Sequence, residues 1–158
     1  FPNPVVNELF IEFDDNWINP AVQIFDTWAG ILAPEDWRKW AMASTQRALA
    51  RVKGAPRVFY SRDCSPYLPW LKETGADVYS LDWHTDMKKA RAILGDAPVQ
   101  GNLDPLALFA PPDEIKRRVR RVIEQAGPTG HIFNLGHGFA PSARIECVET
   151  VLREITGE

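Results

Sequence analysis

The sequence predicts an α/β fold built on a parallel sheet, and two observations carry that prediction. Five short apolar runs alternate with stretches whose apolar residues recur at helical spacing. Each run also breaks, at its C-terminal end, into polar residues or glycine: Asp26-Thr27, Ser61-Arg62-Asp63, Asp82-Trp83, Asn102 with Asp104, and Asn134 through His137. Strands joined by short helical connections imply right-handed βαβ crossovers and therefore parallel neighbours. Periodicity leaves open whether such a sheet curls into a barrel or lies flat.

The elements follow in order. Residues 1–20 are the least regular part: prolines at positions 2, 4 and 20 bracket residues 9–13, strand-like in composition, and Asp14-Asp15-Asn16 reads as a turn. The first βα unit begins at residue 21, with a strand over 21–25. Its helix opens at Pro34, carries Glu35 and Asp36 in the first turn, places Trp37, Trp40, Ala41, Ala48 and Val52 on an inner packing face, and ends near Gly54. The second has a strand over 57–60 and a helix capped by Ser65 that stops at Gly75. The third runs from Asp77 to Leu81, with Thr85 as cap and Gly95 as terminator. The fourth spans Pro98 to Leu103, then a helix capped by Asp113 with Ile115, Val119, Val122, Ile123 and Ala126 on one face. The fifth is a strand over 131–135 followed by a helix carrying Ile145, Val148, Leu152 and Ile155.

Composition narrows the function classes. Hydrophobic residues at 45%, charged residues at 25% and a net charge of −3 fit an ordinary globular protein and give no reason to expect a nucleic-acid partner. The basic run from Lys116 to Arg121 is interleaved with apolar residues at helical spacing, as a solvated outer face would be. Cys64 and Cys147 form no Cys-x-x-Cys pair, and no apolar run reaches the roughly eighteen residues of a membrane span. A cytoplasmic location with reduced thiols and no membrane association is the expectation. The 158 residues suffice for one core but fall short of the roughly 250 of a complete eight-stranded barrel. With Phe1 in place of an initiator methionine, the chain reads as a piece of something longer.

Chemistry in parallel α/β folds collects at the C-terminal ends of strands, which places all the polar breaks on one rim. His137 stands between Gly136 and Gly138, where glycine frees the backbone and leaves the imidazole uncrowded. The same residues are open to a plainer reading as a βα turn with a capping or core histidine. Asp82 and Asp104 are likewise open to two readings, as acid/base groups or as helix caps.

Four stretches in register carry a resemblance: residues 22–30, Leu81-Asp82-Trp83, Gly101-Asn102-Leu103-Asp104-Pro105 and Asn134-Leu135-Gly136-His137-Gly138. Together they resemble the C-terminal part of the uroporphyrinogen decarboxylase family, from about Ala21 to the end. The resemblance implies a partial (β/α)8 (TIM-like) barrel of about five C-terminal βα units. It also implies a cofactor-free decarboxylation of the four acetate side chains of uroporphyrinogen III to coproporphyrinogen III, in tetrapyrrole and heme biosynthesis. By position, His137 and Thr27 match the family's substrate-contacting histidine and small hydroxyl residue. Asp82, Asn102, Asp104, Asn134, Gly136 and Gly138 fall around the same pocket. The family's arginine-bearing motif, central aspartate and substrate-contacting tyrosine have no counterpart here, so the catalytic group is left unassigned and the chain alone is expected to be inactive. Arg62 departs from the glycine-rich or lysine-bearing sequence usual at its position.

Two other readings compete. Methyltransferases of the same barrel superfamily bind zinc through a His-x-Cys pair, which this sequence lacks, so no metal is expected. A non-catalytic barrel fragment or assembly partner would keep the strand ends without the catalytic set. Five strands of an unclosed barrel leave edges near residues 21–25 and 131–135, which predicts self-association or pairing with the missing barrel portion.

Overall fold

The computed structural model describes residues 21–157. The strand-like reading of residues 9–13 and the turn after it lie outside the described residues. Five parallel strands form one sheet in the order β1 (Val22–Asp26), β2 (Arg57–Ser61), β3 (Val78–Leu81), β4 (Val99–Leu103) and β5 (His131–Leu135). All five predicted strands are present. A sheet that adds each strand beside the last, without reversing direction, is ordered as in a (β/α) barrel rather than a doubly wound sheet. The chain forms part of such a TIM-like barrel.

Side chains alternate between the faces of the sheet. On the outer face Ile24, Phe59, Tyr79, Leu81 and Val99 pack beneath the helical layer, with Trp37, Tyr67, Leu68 and Leu94. A second cluster joins Leu103, Phe133 and Leu135 to α4 (Pro112–Ala126) and α5 (Ile145–Thr156) through Ile115, Val119, Cys147 and Val151. The inner face carries one row in register: Phe25 beside Tyr60, Tyr60 beside Ser80, and Ser80 beside Gln100.

The helical layer corrects several sequence expectations. In the first unit α1 (Pro34–Asp36) leads through a π-helical turn, Trp37–Met42, into α2 (Ala43–Leu49). The wider turn rotates the inner face to Trp37, Met42, Thr45 and Leu49, all buried, and turns Trp40 outward to 61% exposure. Regular structure ends at Leu49, short of the predicted Gly54. The second unit carries a 3₁₀ helix, Ser65–Thr74, with Pro69 inside it. Cys64 occupies its cap position without a side-chain bond, so Ser65 does not cap. Gly75 closes it as predicted, in the left-handed region at φ 80°.

In the third unit the cap of α3 (Met87–Leu94) is Asp86, whose carboxylate accepts from Lys89 N at 2.7 Å. Thr85 is instead buried, with its hydroxyl turned to Asp82. In the fourth, a 3₁₀ turn, Pro105–Phe109, precedes α4; Pro111 holds the α4 cap position and Asp113 lies within the first turn. Ile123 is partly exposed at the rim of the predicted α4 face. α5 differs most: it packs through Cys147 and Val151 with the predicted Val148 beside them, while Ile145 and Leu152 are exposed at 66% and 55%. The α4–α5 contact selects the face carrying the smaller residues, and Arg120 ties its flank to Glu154.

Trp37 is fully buried and stacks on Tyr67 with ring centroids 4.7 Å apart. Trp37→Ala should therefore lower unfolding free energy by about 3–5 kcal/mol. Trp40→Ala should change it by about 0.5 kcal/mol or less. Urea unfolding of the two variants checks the reassigned helix face; equal losses would restore the regular helical register.

Candidate functional site

A cavity of about 230 Å³ opens on the inner face of the sheet and is bounded by the loop that follows β5. Phe25, Tyr60, Ser80 and Gln100 form its floor, and Asn134 and Leu135 at the end of β5, with His137, Gly138 and Phe139 after it, form a wall. Its floor is tied together by the Gln100 amide, which donates to Ser80 Oγ at 3.0 Å and to Gln23 Oε1 at 3.4 Å. Among the described residues no carboxylate, lysine or arginine lines it.

His137 is held on two sides. Its ring lies near-parallel to Tyr60, with centroids 5.9 Å apart and planes at 9°, and 5.8 Å from Trp83. Nδ1 lies 3.3 Å from the Tyr60 hydroxyl, which also donates to the Gly136 carbonyl at 3.0 Å. Gly136 is required for a reason other than the predicted backbone freedom. Neither it nor Gly138 is among the glycines with positive φ. A Cβ on Gly136 would sit 2.4 Å from Trp83 N, so the β5 loop reaches Trp83 only because position 136 has no side chain. Gly138 has open space around it.

The predicted aspartates face away from the cavity. Asp26 turns to Ala29 N at 2.8 Å, and burial, opposed by that bond, raises its carboxyl above the usual range. Asp82 is fully buried; its carboxylate accepts from Asp63 N and from the Thr85 hydroxyl, each at 2.6 Å. Asn102 braces the same corner, donating to the carbonyls of Asp82 at 2.8 Å and Thr85 at 2.6 Å. Asp104 caps the 3₁₀ turn after β4 through Leu106 N and faces Arg118 at 3.5 Å. Thr27 is half-buried and does not line the cavity. Asn134 does, while its Oδ1 accepts from Leu135 N.

Asp63, Asp82 and His84 bring one ligand atom each within 4.8 Å of one another. Hydrogen bonds account for the arrangement: Asp82 receives the bonds given above, and Asp63 Oδ1 pairs with His84 Nδ1 at 2.7 Å. Cys64 lies against Asp82 and Thr85. Burial pushes its thiol up to about 12, which leaves it a poor nucleophile. Arg62 spreads over Trp83 at 5.5 Å.

The family model described as Uroporphyrinogen decarboxylase (URO-D) matches residues 8–157. The chain belongs to the uroporphyrinogen decarboxylase family. Proteins named uroporphyrinogen decarboxylase are similar to it. The one from Geotalea uraniireducens is 45% identical over 138 residues, 81% of this chain and 41% of that protein. The one from Gloeobacter violaceus is 48% identical over 127 residues, covering 77% and 37%, and that from Myxococcus xanthus 47% over 123 residues, covering 76% and 35%. The chain thus spans about two fifths of the length of the first of these relatives. Among the described residues no helix is long and apolar enough to cross a membrane.

Sequence reasoning singled out His137, Asn134 and Gly138 of the lining but missed Tyr60, Ser80 and Gln100. A signal was present: serine and glutamine inside β3 and β4, otherwise rich in apolar residues, mark an inner face that is polar. Asp82→Ala should destabilise the chain by about 3 kcal/mol, because it strands two buried donors. An unchanged urea midpoint would move Asp82 from scaffold to chemistry.

Proposed function

We propose that this chain supplies the C-terminal five βα units of a uroporphyrinogen decarboxylase, and with them one wall of the substrate cavity. The observation that carries the reading is His137, presented to the inner-face cavity between Tyr60 and Trp83 in a chain of this family. In the reaction, a proton is added to a pyrrole carbon beside an acetate arm. The ring then accepts the electron pair released when the carbon–carboxyl bond breaks and carbon dioxide departs, and the exocyclic methylene so formed takes up a proton to become a methyl group as the ring carbon gives its added proton back. No cofactor is invoked, since the pyrrole is itself the electron sink. The site must stabilise a cationic ring and hold many carboxylates.

The described residues meet only part of that demand. His137 and the amides of Gln100 and Asn134 offer neutral polar contacts to a tetrapyrrole, and Thr27 contributes from the adjoining loop in this reading. The carboxylate that would stabilise the cationic ring has to come from outside the described residues, because Asp26, Asp82 and Asp104 are all turned to backbone N–H groups. The arginines for the substrate's carboxylates must come from there as well. The partner implied is the remainder of a barrel, seated on β1 and β5, each of which pairs with one described strand only. The exposed Phe25, Trp28, Ile31, Ile145 and Leu152 would be covered in that assembly.

His137→Ala should weaken uroporphyrinogen binding about tenfold or more, the equivalent of one good hydrogen bond. His84→Ala and His131→Ala should change it little, since His84 is paired with Asp63 and His131 with the Gly101 carbonyl. Anaerobic titration checks this, and equal effects of the three would remove His137 from the site. The chain alone should form coproporphyrinogen at least about a hundredfold more slowly than when mixed with the N-terminal portion of a related decarboxylase. Robust turnover by the chain alone would return the chemistry to Asp26, Asp82 or Asp104. In sedimentation equilibrium the isolated chain should self-associate at micromolar concentration; a clean monomer would mean that its edges are sealed.

A further inference from the structure

The Tyr60–His137 contact constrains more than position. The Tyr60 hydroxyl has one proton and two neighbours, the Gly136 carbonyl at 3.0 Å and His137 Nδ1 at 3.3 Å. A carbonyl only accepts, so the phenol proton belongs to Gly136 O. No other described backbone or side-chain donor reaches that oxygen, and residue 136 is buried, so withdrawing the proton would leave a buried acceptor without return. The phenol keeps its proton, because burial raises its ionisation well above the usual tyrosine range, reinforced by the nearby Asp82 charge.

With the phenol committed to Gly136, only its lone pairs face His137. The contact is then a hydrogen bond if Nδ1 carries the proton; otherwise two lone pairs oppose each other. Turning the ring over would replace Nδ1 by a carbon and lose the bond. We infer that Tyr60 is a positioning residue that fixes the neutral form of His137 as the Nδ1–H tautomer, so that in this form Nε2 meets the ligand as an acceptor for an N–H group.

This rests on the decarboxylase reading only for the ligand's identity. A tetrapyrrole carries pyrrole N–H donors and carboxylates. A neutral imidazole with a bare Nε2 suits the former and repels the latter, since a carboxylate needs Nε2–H or an imidazolium. The cavity floor agrees, being neutral and free of described cations. Carboxylate recognition therefore falls to groups elsewhere on the rim, and His137 reads the ring.

The tautomer is readable without substrate. In the uniformly ¹⁵N-labelled chain, long-range ¹H–¹⁵N correlation above the ordinary imidazole titration range distinguishes the protonated from the bare ring nitrogen of each neutral histidine. His137 is assigned by the loss of its signals in His137→Gln. The expected result is a protonated Nδ1 and bare Nε2 in the native chain, with loss of that preference in Tyr60→Phe, which keeps the ring and removes only the oxygen. A native chain with Nε2–H, or a Tyr60→Phe variant with the native pattern, would overturn the inference. Adding uroporphyrinogen anaerobically should then move the His137 Nε2 resonance in the direction of an accepted hydrogen bond. A native Nδ1–H tautomer that does not respond would uphold the role of Tyr60 and count against the decarboxylase reading instead.

Discussion

A single buried carboxylate fixes the geometry of the rim. Asp82 sits at the end of β3 with no exposed surface, and its two oxygens hold the loop after β2 through Asp63 N and the approach to α3 through the Thr85 hydroxyl. Asn102 at the end of β4 closes the same corner by reaching the carbonyls of Asp82 and Thr85. Three successive strand ends are thereby locked to one another by short bonds in a low-dielectric setting, where each is strengthened and each loss is costly. Trp83 inherits its position from this corner, and the β5 loop packs on Trp83 through the bare face of Gly136. His137 is thus placed at the end of a chain of contacts that begins with an aspartate pointing away from the cavity.

That chain explains what the sequence could and could not disclose. The strands were legible because each is a short apolar run ended by polar residues, and the match to the family model agrees with the barrel that the motifs resembled. His137 stood out because glycines flank it. The roles of Asp82 and Asp104 were not legible, since a strand-end carboxylate looks the same whether it faces a ligand or a backbone N–H. Only the direction of the side chain separates the two, and here backbone donors take both residues. Tyr60 was hidden at the end of Val58-Phe59-Tyr60, where every residue looks like core. Its register opposite Phe25 and Ser80 is a property of the pairing, not of the run.

The helices show the same limit from another side. A pattern read at 3.6 residues per turn assigned Trp40 and Leu152 to packing faces, and both are solvent-facing in the described chain. For α5 the competing stripes were both apolar, so the neighbour decided: α4 accepts Cys147 and Val151, leaving Ile145 and Leu152 to meet whatever lies beyond. Among the described residues the exposed Ile145 and Leu152 and the two strands with one partner each fit the proposed role of this chain as one wall of a larger cavity.

The π turn in the first helical segment carries a consequence for how this wall tolerates insertion. Its buried positions, Trp37, Met42, Thr45 and Leu49, stand at intervals of five, three and four. Removing any one residue between Trp37 and Met42 would make the first interval four and recover the ordinary repeat of an α-helix. The segment therefore behaves as a regular helix holding one surplus residue, looped out at the surface where Arg38, Lys39 and Trp40 are all exposed. Related chains differing in length by one at this point can keep the same interior intact, and an alignment gap there would record a change of surface alone.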